Sequence, residues 1–508
     1  MPPNLQELNV PSFCVWNPVR LLAACVLLIV LSAGHAPSAD TRPNILFCIA
    51  DDWGYPYASA YGDRAVQTPT FDRLAREGLL FTHAFTASPS CTPSRSVILT
   101  GQWHWRLESC ASNHSTFLDR FPTYVEILER SGYATGVVGK NWGPGRLETP
   151  NRPLAGHPSK SFREFLTGRP TDRPFCFWLG SGDPHRPFEA GAGQAAGIDL
   201  AAIKVPACWP DNELVRSDLA DYEFEVRRFD ALIGDAVAAL ESAGLLDQTL
   251  IVMTGDHGLP FPRGKANIYD LGVRVPLAMH YPPMIAAGRI SDDFISLSDL
   301  APTFLELAGL PIPEDMTGRS LAPILSNSDA ATITAAPAAD YVIFGKERHV
   351  PSQPAPDMGG YPCRGIRTRE YLYIRNFRPD RWPNGTPDYA HAAIPGAWCA
   401  DTDNGPTKAF IIENADRDDE HRRAFELSFG FRPTEELYDL KTDPEQLTNV
   451  AADPQYLQVR DALWAKLHDD LERTGDPRVT GGGYRFDDYP YFGKGPKHPN
   501  WEQAHPSE

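Results

Sequence analysis

The chain has 508 residues, 42% of them hydrophobic, so it can bury a large core, and this composition excludes wholesale disorder. Its 47 lysines and arginines are outnumbered by 65 aspartates and glutamates, and the formal net charge of −18 argues against a nucleic-acid-binding surface. An enzyme with this charge that acts on an anionic substrate needs a locally positive pocket.

Residues 1–39 are predicted to be a signal peptide. Arg20 precedes an apolar run at 21–31, and small residues follow among positions 32–36, which is the order of a charged segment, an apolar segment and a cleavage zone. The run is too short to favour a transmembrane helix, and no second long run follows, so we expect no stable membrane span. Export to a periplasmic, extracellular or lysosomal compartment is therefore predicted, with a lipid anchor at Cys25 as the minor alternative.

The first predicted element of the mature chain is a buried strand at residues 43–50. This continuous apolar run is typical of a parallel strand that is covered on both faces. It ends in Asp51 and Asp52, two adjacent carboxylates that repel each other unless a cation holds them. The pair indicates a site for a hard divalent metal, and a solvated turn is the alternative.

Cys91 is predicted to lie where a helix begins. Small and polar residues precede it, Pro93 stands at a favourable first helical position, and the apolar run that follows ends at Gly101. The free backbone N–H groups at such a helix start favour an anion. Arg95 lies one turn later on the same face, where its guanidinium can point at an oxyanion. The alternative for Cys91 is a small buried side chain.

Three later strand-like runs also lead into titratable residues: residues 133–139 into Lys140, residues 175–182 into Asp183 and His185, and residues 249–255 into Asp256 and His257. Helical patterns lie between these runs, at 70–77, 121–131 and 218–243. The alternation predicts an α/β fold with a mainly parallel sheet, whose strands place their carboxyl ends at one edge. We therefore expect these charged residues to meet in one site.

The motif Cys-Thr-Pro-Ser-Arg at residues 91–95 resembles the Cys-x-Pro-Ser-Arg signature of the type I sulfatases. In that family a formylglycine-generating enzyme oxidises the cysteine after translation, so the resemblance implies an aldehyde hydrate at Cys91 instead of a thiol. It also implies the alkaline-phosphatase-like α/β fold, with a large mixed, mainly parallel sheet flanked by helices and a smaller C-terminal α+β subdomain.

The resemblance carries over residue by residue to the ends of the predicted strands. It implies a divalent metal, usually calcium, with five ligands: Asp51, Asp52, Asp256, His257 and the modified Cys91. Calcium prefers oxygen donors, so His257 is the ligand that matches this metal least well. The resemblance also implies four residues around the sulfate group: Arg95, Lys140, His185 and Lys265. Lys265 belongs to a loop that we expect to fold back over the site.

Two further motifs resemble the heparan N-sulfatase (sulfamidase) branch: Asp-Pro-His-Arg at residues 183–186 and Gly-Leu-Pro-Phe-Pro at residues 258–262. The branch implies a sulfated carbohydrate substrate and favours an N-sulfate on glucosamine, while an O-sulfate stays open. One position departs from the family, which usually has Lys-x-His where this chain has Lys140 followed by Trp142. His104, His114 and His157 are the possible replacements for the missing histidine.

The chain is thus predicted to contain three parts: the signal peptide, a catalytic domain at 40–350, and a C-terminal subdomain at 351–508. Strand patterns at 341–344, 364–374 and 435–440 and a helix at 457–471 indicate an antiparallel sheet with a terminal helix. A Pro/Ala/Ser-rich stretch at 326–339 is expected to be a surface connection. The pairing of the six cysteines outside the leader and Cys91 does not follow from their spacing.

These observations predict an exported, metal-dependent sulfatase that acts on a sulfated glycan. Two alternatives stay open. One is a phosphatase or phosphonate hydrolase of the same superfamily, because a cationic pocket of this kind also accepts a phosphoryl group. The other is a catalytically silent carbohydrate-binding protein, suggested by Trp142. The sequence predicts no oligomeric state.

Overall fold

The computed structural model describes residues 41–326 and 339–505, together with Ser12. The predicted leader and most of the predicted connection at 326–339 lie outside the described residues. The strands, in chain order, are β1 (Asn44–Ala50), β2 (Leu79–Phe85), β3 (Ser115–Phe117), β4 (Ala134–Val138), β5 (Gly145–Leu147), β6 (His157–Pro158), β7 (Phe175–Gly180), β8 (Thr249–Gly255), β9 (Arg274–His280), β10 (Arg289–Ser296), β11 (Tyr341–Lys346), β12 (Cys363–Thr368), β13 (Tyr371–Asn376) and β14 (Glu435–Asp439).

The α-helices, in the same order, are α1 (Pro69–Glu77), α2 (Cys91–Thr100), α3 (Tyr124–Arg130), α4 (Phe162–Gly168), α5 (Ala192–Ala195), α6 (Glu213–Ser242), α7 (Asp270–Val273), α8 (Leu300–Leu307), α9 (Ala322–Ser326), α10 (Pro406–Glu413), α11 (Asp419–Ser428), α12 (Leu457–Arg473), α13 (Pro477–Thr480), α14 (Arg485–Asp488) and α15 (Pro499–Ala504). Short 3₁₀ turns connect several of them, at Ser59–Tyr61, His104–Arg106, Glu108–Ala111, Leu200–Ala202, Leu246–Gln248 and Leu297–Asp299.

An eight-stranded sheet forms the centre of the molecule, in the order β10-β2-β9-β8-β1-β7-β4-β6. β9 pairs antiparallel with both of its neighbours, and the other described pairs in this sheet are parallel. The prediction of a mixed, mainly parallel sheet is therefore confirmed. Because β8, β1, β7 and β4 run in one direction, their carboxyl ends lie along one edge of the sheet.

Helices cover both faces of this sheet, and β1 shows why its sequence is apolar throughout. Successive side chains of a strand point to opposite faces. Ile45, Phe47 and Ile49 pack into one core with residues of α2, α3 and α8. Leu46, Cys48 and Ala50 pack into the other core with residues of α1 and α6. Both faces of β1 are thus fully buried.

A second, four-stranded antiparallel sheet follows, in the order β11-β12-β13-β14. The single strand pattern at 364–374 is corrected here, because the segment is a hairpin of β12 and β13. The backbone N–H of Tyr371 donates to the Thr368 hydroxyl (3.0 Å) and closes the turn between them. β11 ends before the predicted boundary at residue 350, and residues from Arg42 onward group into one compact unit. The division into 40–350 and 351–508 stays a prediction.

The predicted helices are present with shifted ends. α6 begins five residues before the predicted start at 218, because the Asn212 side chain caps it by accepting the Val215 N–H at 3.0 Å. Within the described ranges, no helix combines the length and apolarity needed to cross a bilayer. The described cysteines are free thiols, and all are buried.

Candidate active site

Three aspartates meet at the carboxyl ends of β1 and β8. These strands pair in parallel with Ala50 opposite Gly255. Asp51 and Asp256, the residues that follow the two strands, therefore lie side by side at the edge of the sheet. Asp52 adopts a left-handed backbone conformation (φ 71°), and its N–H donates to Asp256 Oδ1 at 3.0 Å. The side chains of all three are nearly inaccessible to solvent. The predicted convergence of charged residues at this edge is therefore observed.

Cys91 is the first residue of α2, two residues earlier than the start that Pro93 suggested. Every residue of this helix is buried, and Gly101 ends it in a left-handed conformation with its N–H donating to the Val97 carbonyl. The Cys91 Sγ lies 3.5 Å from Asp51 Oδ1 and 3.4 Å from His257 Nε2. The helix thus directs its free N–H groups and Cys91 toward the acidic cluster.

Burial, together with the charge of Asp51, raises the pKa of the Cys91 thiol. The unmodified side chain is therefore protonated and a poor nucleophile at neutral pH. A reaction centred on residue 91 requires a different functional group there.

Four potential ligands surround one point in this cluster. Single donor atoms of Asp51, Asp52, Cys91 and His257 all lie within 4.8 Å of one another. The Asp52 Oδ1 is buried and has no hydrogen-bond partner within the described residues. Two buried carboxylates beside an imidazole are a donor set that can hold a divalent cation, and the imidazole is the donor that matches calcium least well. Asp256 stands beside this group, with its Oδ1 3.6 Å from His257 Nε2.

Arg95 is fully buried and holds the site together. Its Nε donates to Asp256 Oδ2 at 2.8 Å, and its Nη2 lies 3.5 Å from Asp51 Oδ1. Its Nη1 donates to the carbonyls of Lys140 and Asn141, at 3.0 and 2.9 Å, and so connects α2 to the segment after β4. Burial lowers the pKa of this guanidinium, but Asp256 and Asp51 raise it further, so it stays charged.

Together with Arg95, two lysines supply the positive charge of the site. Lys140 Nζ hydrogen-bonds Asp51 Oδ2, and Lys265 Nζ donates to Asp52 Oδ2 at 3.0 Å. The Lys265 loop folds back as expected, since the Ala266 N–H donates to the Pro89 carbonyl (2.7 Å) just before α2. Burial lowers the pKa of each lysine, but the neighbouring carboxylates raise it above its ordinary value, so both are cations at neutral pH.

The neighbouring cations also act on the carboxylates. Burial raises the pKa of Asp51, but Lys140, His185, Arg95 and Lys265 lower it well below its usual range. Asp51 is therefore ionised and available to a metal.

His185 is the most exposed of the predicted site residues that form ion pairs here, with 33% of its side chain accessible. Its Nδ1 lies 2.5 Å from the Arg186 carbonyl, so this nitrogen carries a proton and donates. Its Nε2 faces inward, 3.9 Å from Asp52 Oδ2. The geometry suits a proton donor at the mouth of the site.

The structure thus brings all nine predicted residues together, although their individual roles stay predictions. It also adds two residues that the sequence did not suggest. Asp403 Oδ2 accepts from Lys265 Nζ at 2.9 Å. His349 Nδ1 lies 2.7 Å from the hydroxyl of Ser90, the residue before Cys91. Both come from segments of the chain without strand or helix periodicity, so the sequence pattern carried no signal for them.

Trp142 contacts α2 at Ser96 and β3 at Phe117. Its indole N–H donates to the Ser96 hydroxyl at 2.8 Å, and its ring meets Phe117 edge to face. Among the three replacements considered, His157 is exposed and paired with Glu129. His104 is fully buried beside Trp105.

His114 is the one of these three whose pKa is affected by the charged residues of the site. Burial lowers its pKa to about 4, with further lowering by the charges of Lys265 and Lys140. His349 is the better-placed neighbour of α2, through its contact with Ser90.

Two family models match the chain. The model described as "Sulfatase" matches residues 43–143 and 159–310, and the model described as "N-sulphoglucosamine sulphohydrolase, C-terminal" matches residues 255–383. Human N-sulphoglucosamine sulphohydrolase is 29% identical over 516 residues, covering 90% of this chain and 94% of the relative. An ulvan-active sulfatase of Formosa agariphila is 28% identical over 472 residues, covering 87% and 84%.

Solved structures share the fold. A complex of BT4656 with its substrate D-glucosamine-2-N,6-O-disulfate aligns with a TM-score of 0.60 at 21% identity, covering 86% of this chain and 98% of that one. A phosphonate monoester hydrolase of Agrobacterium radiobacter aligns with a TM-score of 0.58 at 20% identity, covering 86% and 97%. At these identities the likeness shows the fold alone. The two family models, together with the two relatives, show that the chain belongs to the sulfatase family of sulfuric ester hydrolases.

Proposed function

We propose that the protein is an exported, calcium-dependent sulfatase that removes the N-sulfate of glucosamine in a sulfated glycan. The observation that carries this proposal is the position of Cys91, at a helix start that faces a cluster of buried carboxylates and three cations. The net reaction takes up one water and releases sulfate and the free amine, which is protonated at neutral pH.

Cys91 is the residue that we expect a formylglycine-generating enzyme to oxidise. The hydrated aldehyde would supply an oxygen nucleophile, which the protonated thiol at this position does not. Asp51, Asp52, Asp256 and His257 would hold the calcium ion with residue 91, and the ion would supply positive charge next to the sulfuryl oxygens.

The chain's own cations would bind the sulfuryl group. Lys140 and Lys265 are charged at neutral pH; Lys140 pairs with Asp51 and Lys265 pairs with Asp52. An anion that enters the site therefore meets two ammonium groups beside Cys91. Arg95 fixes the carboxylates and the Lys140 backbone, and it keeps this arrangement rigid. His185, whose Nε2 faces the site, would give a proton to the departing nitrogen.

The substrate class is supported by names of similar proteins. The relative that covers most of this chain among those described above is human N-sulphoglucosamine sulphohydrolase, and the second family model is the C-terminal part of such enzymes. The BT4656 complex holds a glucosamine with sulfate on both nitrogen and oxygen. An amino sugar with an N-sulfate is common to these names.

The test begins with protein coexpressed with a formylglycine-generating enzyme. Peptide mass spectrometry measures the fraction of aldehyde at residue 91, and ion chromatography measures sulfate released from N-sulfoglucosamine and from glucosamine 6-O-sulfate. We expect conversion at Cys91 and release from the N-sulfate, abolished in Cys91→Ala. Release from the O-sulfate alone would contradict the substrate, and complete conversion without release from either sugar would favour a binding protein.

A further inference from the structure

The carboxylate of Asp403 lies close to His185 and Lys265 at the candidate site. Asp403 belongs to the loop before α10, far along the chain from the predicted site residues. One oxygen each from Asp52 and Asp403 and one ring nitrogen of His185 lie within 4.8 Å of one another. Its Oδ2 also accepts from Lys265 Nζ at 2.9 Å. Asp403 therefore binds Lys265 and lies within 4.8 Å of His185.

Asp403 differs in exposure from the carboxylates that would hold the metal. Its side chain is 16% exposed, whereas those of Asp51, Asp52 and Asp256 are between 0% and 3% exposed. The acidic group thus reaches the opening, on the side of His185. A substrate atom that receives a proton from His185 would lie beside this carboxylate.

The protein fixes the Asp403 loop in this position. Lys408 Nζ is buried and donates to the Thr402 carbonyl (2.7 Å) and to Asn404 Oδ1 (3.0 Å), on either side of Asp403. A Cβ at Gly405 would meet the guanidinium of Arg186, so only glycine permits this close approach.

The same loop is tied to the segment of His185. Arg186, the residue after His185, forms a two-pronged ion pair with Asp218 at 2.8 Å for each prong. The same Asp218 accepts from the N–H and the hydroxyl of Thr407, at 3.1 and 2.6 Å. Through Asp218, the loop that carries Asp403 and the segment that carries His185 keep a constant separation.

We propose that Asp403 is a specificity-determining residue that recognises the amine nitrogen of the substrate and so favours a nitrogen leaving group over an oxygen one. This inference rests on the proposed function. When the sulfur–nitrogen bond breaks, its electron pair stays on nitrogen, and the sulfuryl group passes to the attacking hydroxyl oxygen, which releases its proton to solvent. The imidazolium form of His185 transfers its Nε2 proton to the nitrogen and keeps the Nδ1 proton that the Arg186 carbonyl accepts. The resulting amine takes a second proton from water at neutral pH, and its ammonium form faces Asp403.

An alcohol leaving group gains less from this carboxylate. A released hydroxyl stays neutral and offers one O–H donor, whereas an ammonium carries a full positive charge and three N–H donors. Hydrogen bonds between charged partners are stronger than those with a neutral partner. The preference should therefore depend on the charge of residue 403 and not on its size.

The first experiment measures binding of the products, which does not depend on formylglycine. The dissociation constants of glucosamine and glucose are measured by titration calorimetry on the full protein in calcium buffer. We expect wild type to prefer glucosamine by about tenfold, and Asp403→Asn to reduce this preference to about twofold or less. Asp416→Asn removes the same charge at an exposed position and should keep the preference. An equal preference in Asp403→Asn and wild type would overturn the inference.

The second experiment measures selectivity in catalysis. The ratio of kcat/KM for N-sulfoglucosamine to kcat/KM for an aryl sulfate, whose leaving group needs no proton, should fall at least tenfold in Asp403→Asn and recover partly in Asp403→Glu. If Asp403 serves only to hold Lys265, both substrates lose activity equally, and the inference is wrong. A wild type that binds glucosamine through Asp403 but releases no N-sulfate would refute the proposed function and retain the amine site.

Discussion

At the scale of single residues, the site depends on which buried charges have partners. Arg95 was expected near the sulfate, and the structure shows it bound to Asp256, to Asp51 and to three backbone carbonyls. The helix position of Arg95 follows from the sequence, because residues four apart share a face. Its partners do not follow, since they come from β1, β8 and the segment after β4.

Glu223 is a buried acid that the proposed chemistry does not use, and it allows a test of the electrostatics. It is 1% exposed, its Oε2 has no hydrogen-bond partner within the described residues, and burial raises its pKa from an ordinary 4.5 to about 9. Between these two pH values the folded chain keeps a proton that the unfolded chain has lost. The free energy of unfolding therefore falls with rising pH, as far as this group is concerned.

Glu223→Gln is expected to remove this dependence. The variant should match wild type below pH 4.5 and exceed it in free energy of unfolding by about 3–5 kcal/mol at pH 8, because ionisation of Glu223 at that pH stabilises only the unfolded wild-type chain. Thermal unfolding between pH 4 and 9 measures the difference. Exposed Glu189→Gln is the control and should show no such slope. A pH-independent difference between Glu223→Gln and wild type would contradict the assignment.

At the scale of elements, the close approach of two strand ends positions Lys140. Gly139 follows β4 with a positive φ of 72°, and Gly180 ends the neighbouring β7. A Cβ on Gly180 would overlap the carbonyl oxygen of Lys140, and one on Gly139 would overlap the carbonyl oxygen of Gly180. The two backbones touch here because neither residue has a side chain, and this contact directs Lys140 toward Asp51.

Gly180→Ala should therefore displace Lys140. We expect a loss of about 1–3 kcal/mol in stability from overpacking and at least a tenfold loss in sulfate release. Gly182→Ala is the matched control, because a Cβ there meets nothing within 4 Å, and it should behave as wild type. Thermal unfolding and kcat/KM on the same substrate compare the two variants. Equal behaviour of Gly180→Ala and Gly182→Ala would show that the close approach does not position the lysine.

Much of the element structure could be predicted from the sequence, for physical reasons that particular residues illustrate. β1 and β8 are buried on both faces, so their apolar runs stand out, and the aspartates after them mark the edge of the sheet. The loop that carries Asp403 is joined to the segment of His185 through Asp218, which is distant in sequence from both. Such contacts leave no local pattern in the chain. The hairpin at Thr368 and Tyr371 was also missed, because its turn lacks the glycine that marks tight hairpins.

At the scale of the whole molecule, buried ion pairs join the four-stranded sheet to the C-terminal helices. Arg364 of β12 is fully buried and binds Glu347 (2.7 Å) and Asp476 (2.5 Å), which precedes α13. Arg478 of α13 returns to Glu347 at 2.6 Å. Residues from Arg42 onward also form one compact unit.

We therefore expect a single unfolding transition for the mature chain. Calorimetric and van't Hoff enthalpies should agree, and Arg364→Met, which leaves two buried carboxylates short of a partner, should shift the whole transition by about 3–5 kcal/mol. Exposed Arg163→Met is the control. Two separate transitions, with only one of them shifted by Arg364→Met, would show that the predicted subdomain after residue 350 unfolds independently.

The proposed reaction requires residue 91 to carry an aldehyde. This requirement is tested by sulfate turnover on N-sulfoglucosamine, measured on preparations with different aldehyde fractions at residue 91. We expect the turnover number to rise in proportion to the aldehyde fraction and to extrapolate to zero for unmodified Cys91. Turnover that is independent of this fraction, or that persists in Cys91→Ala, would contradict it.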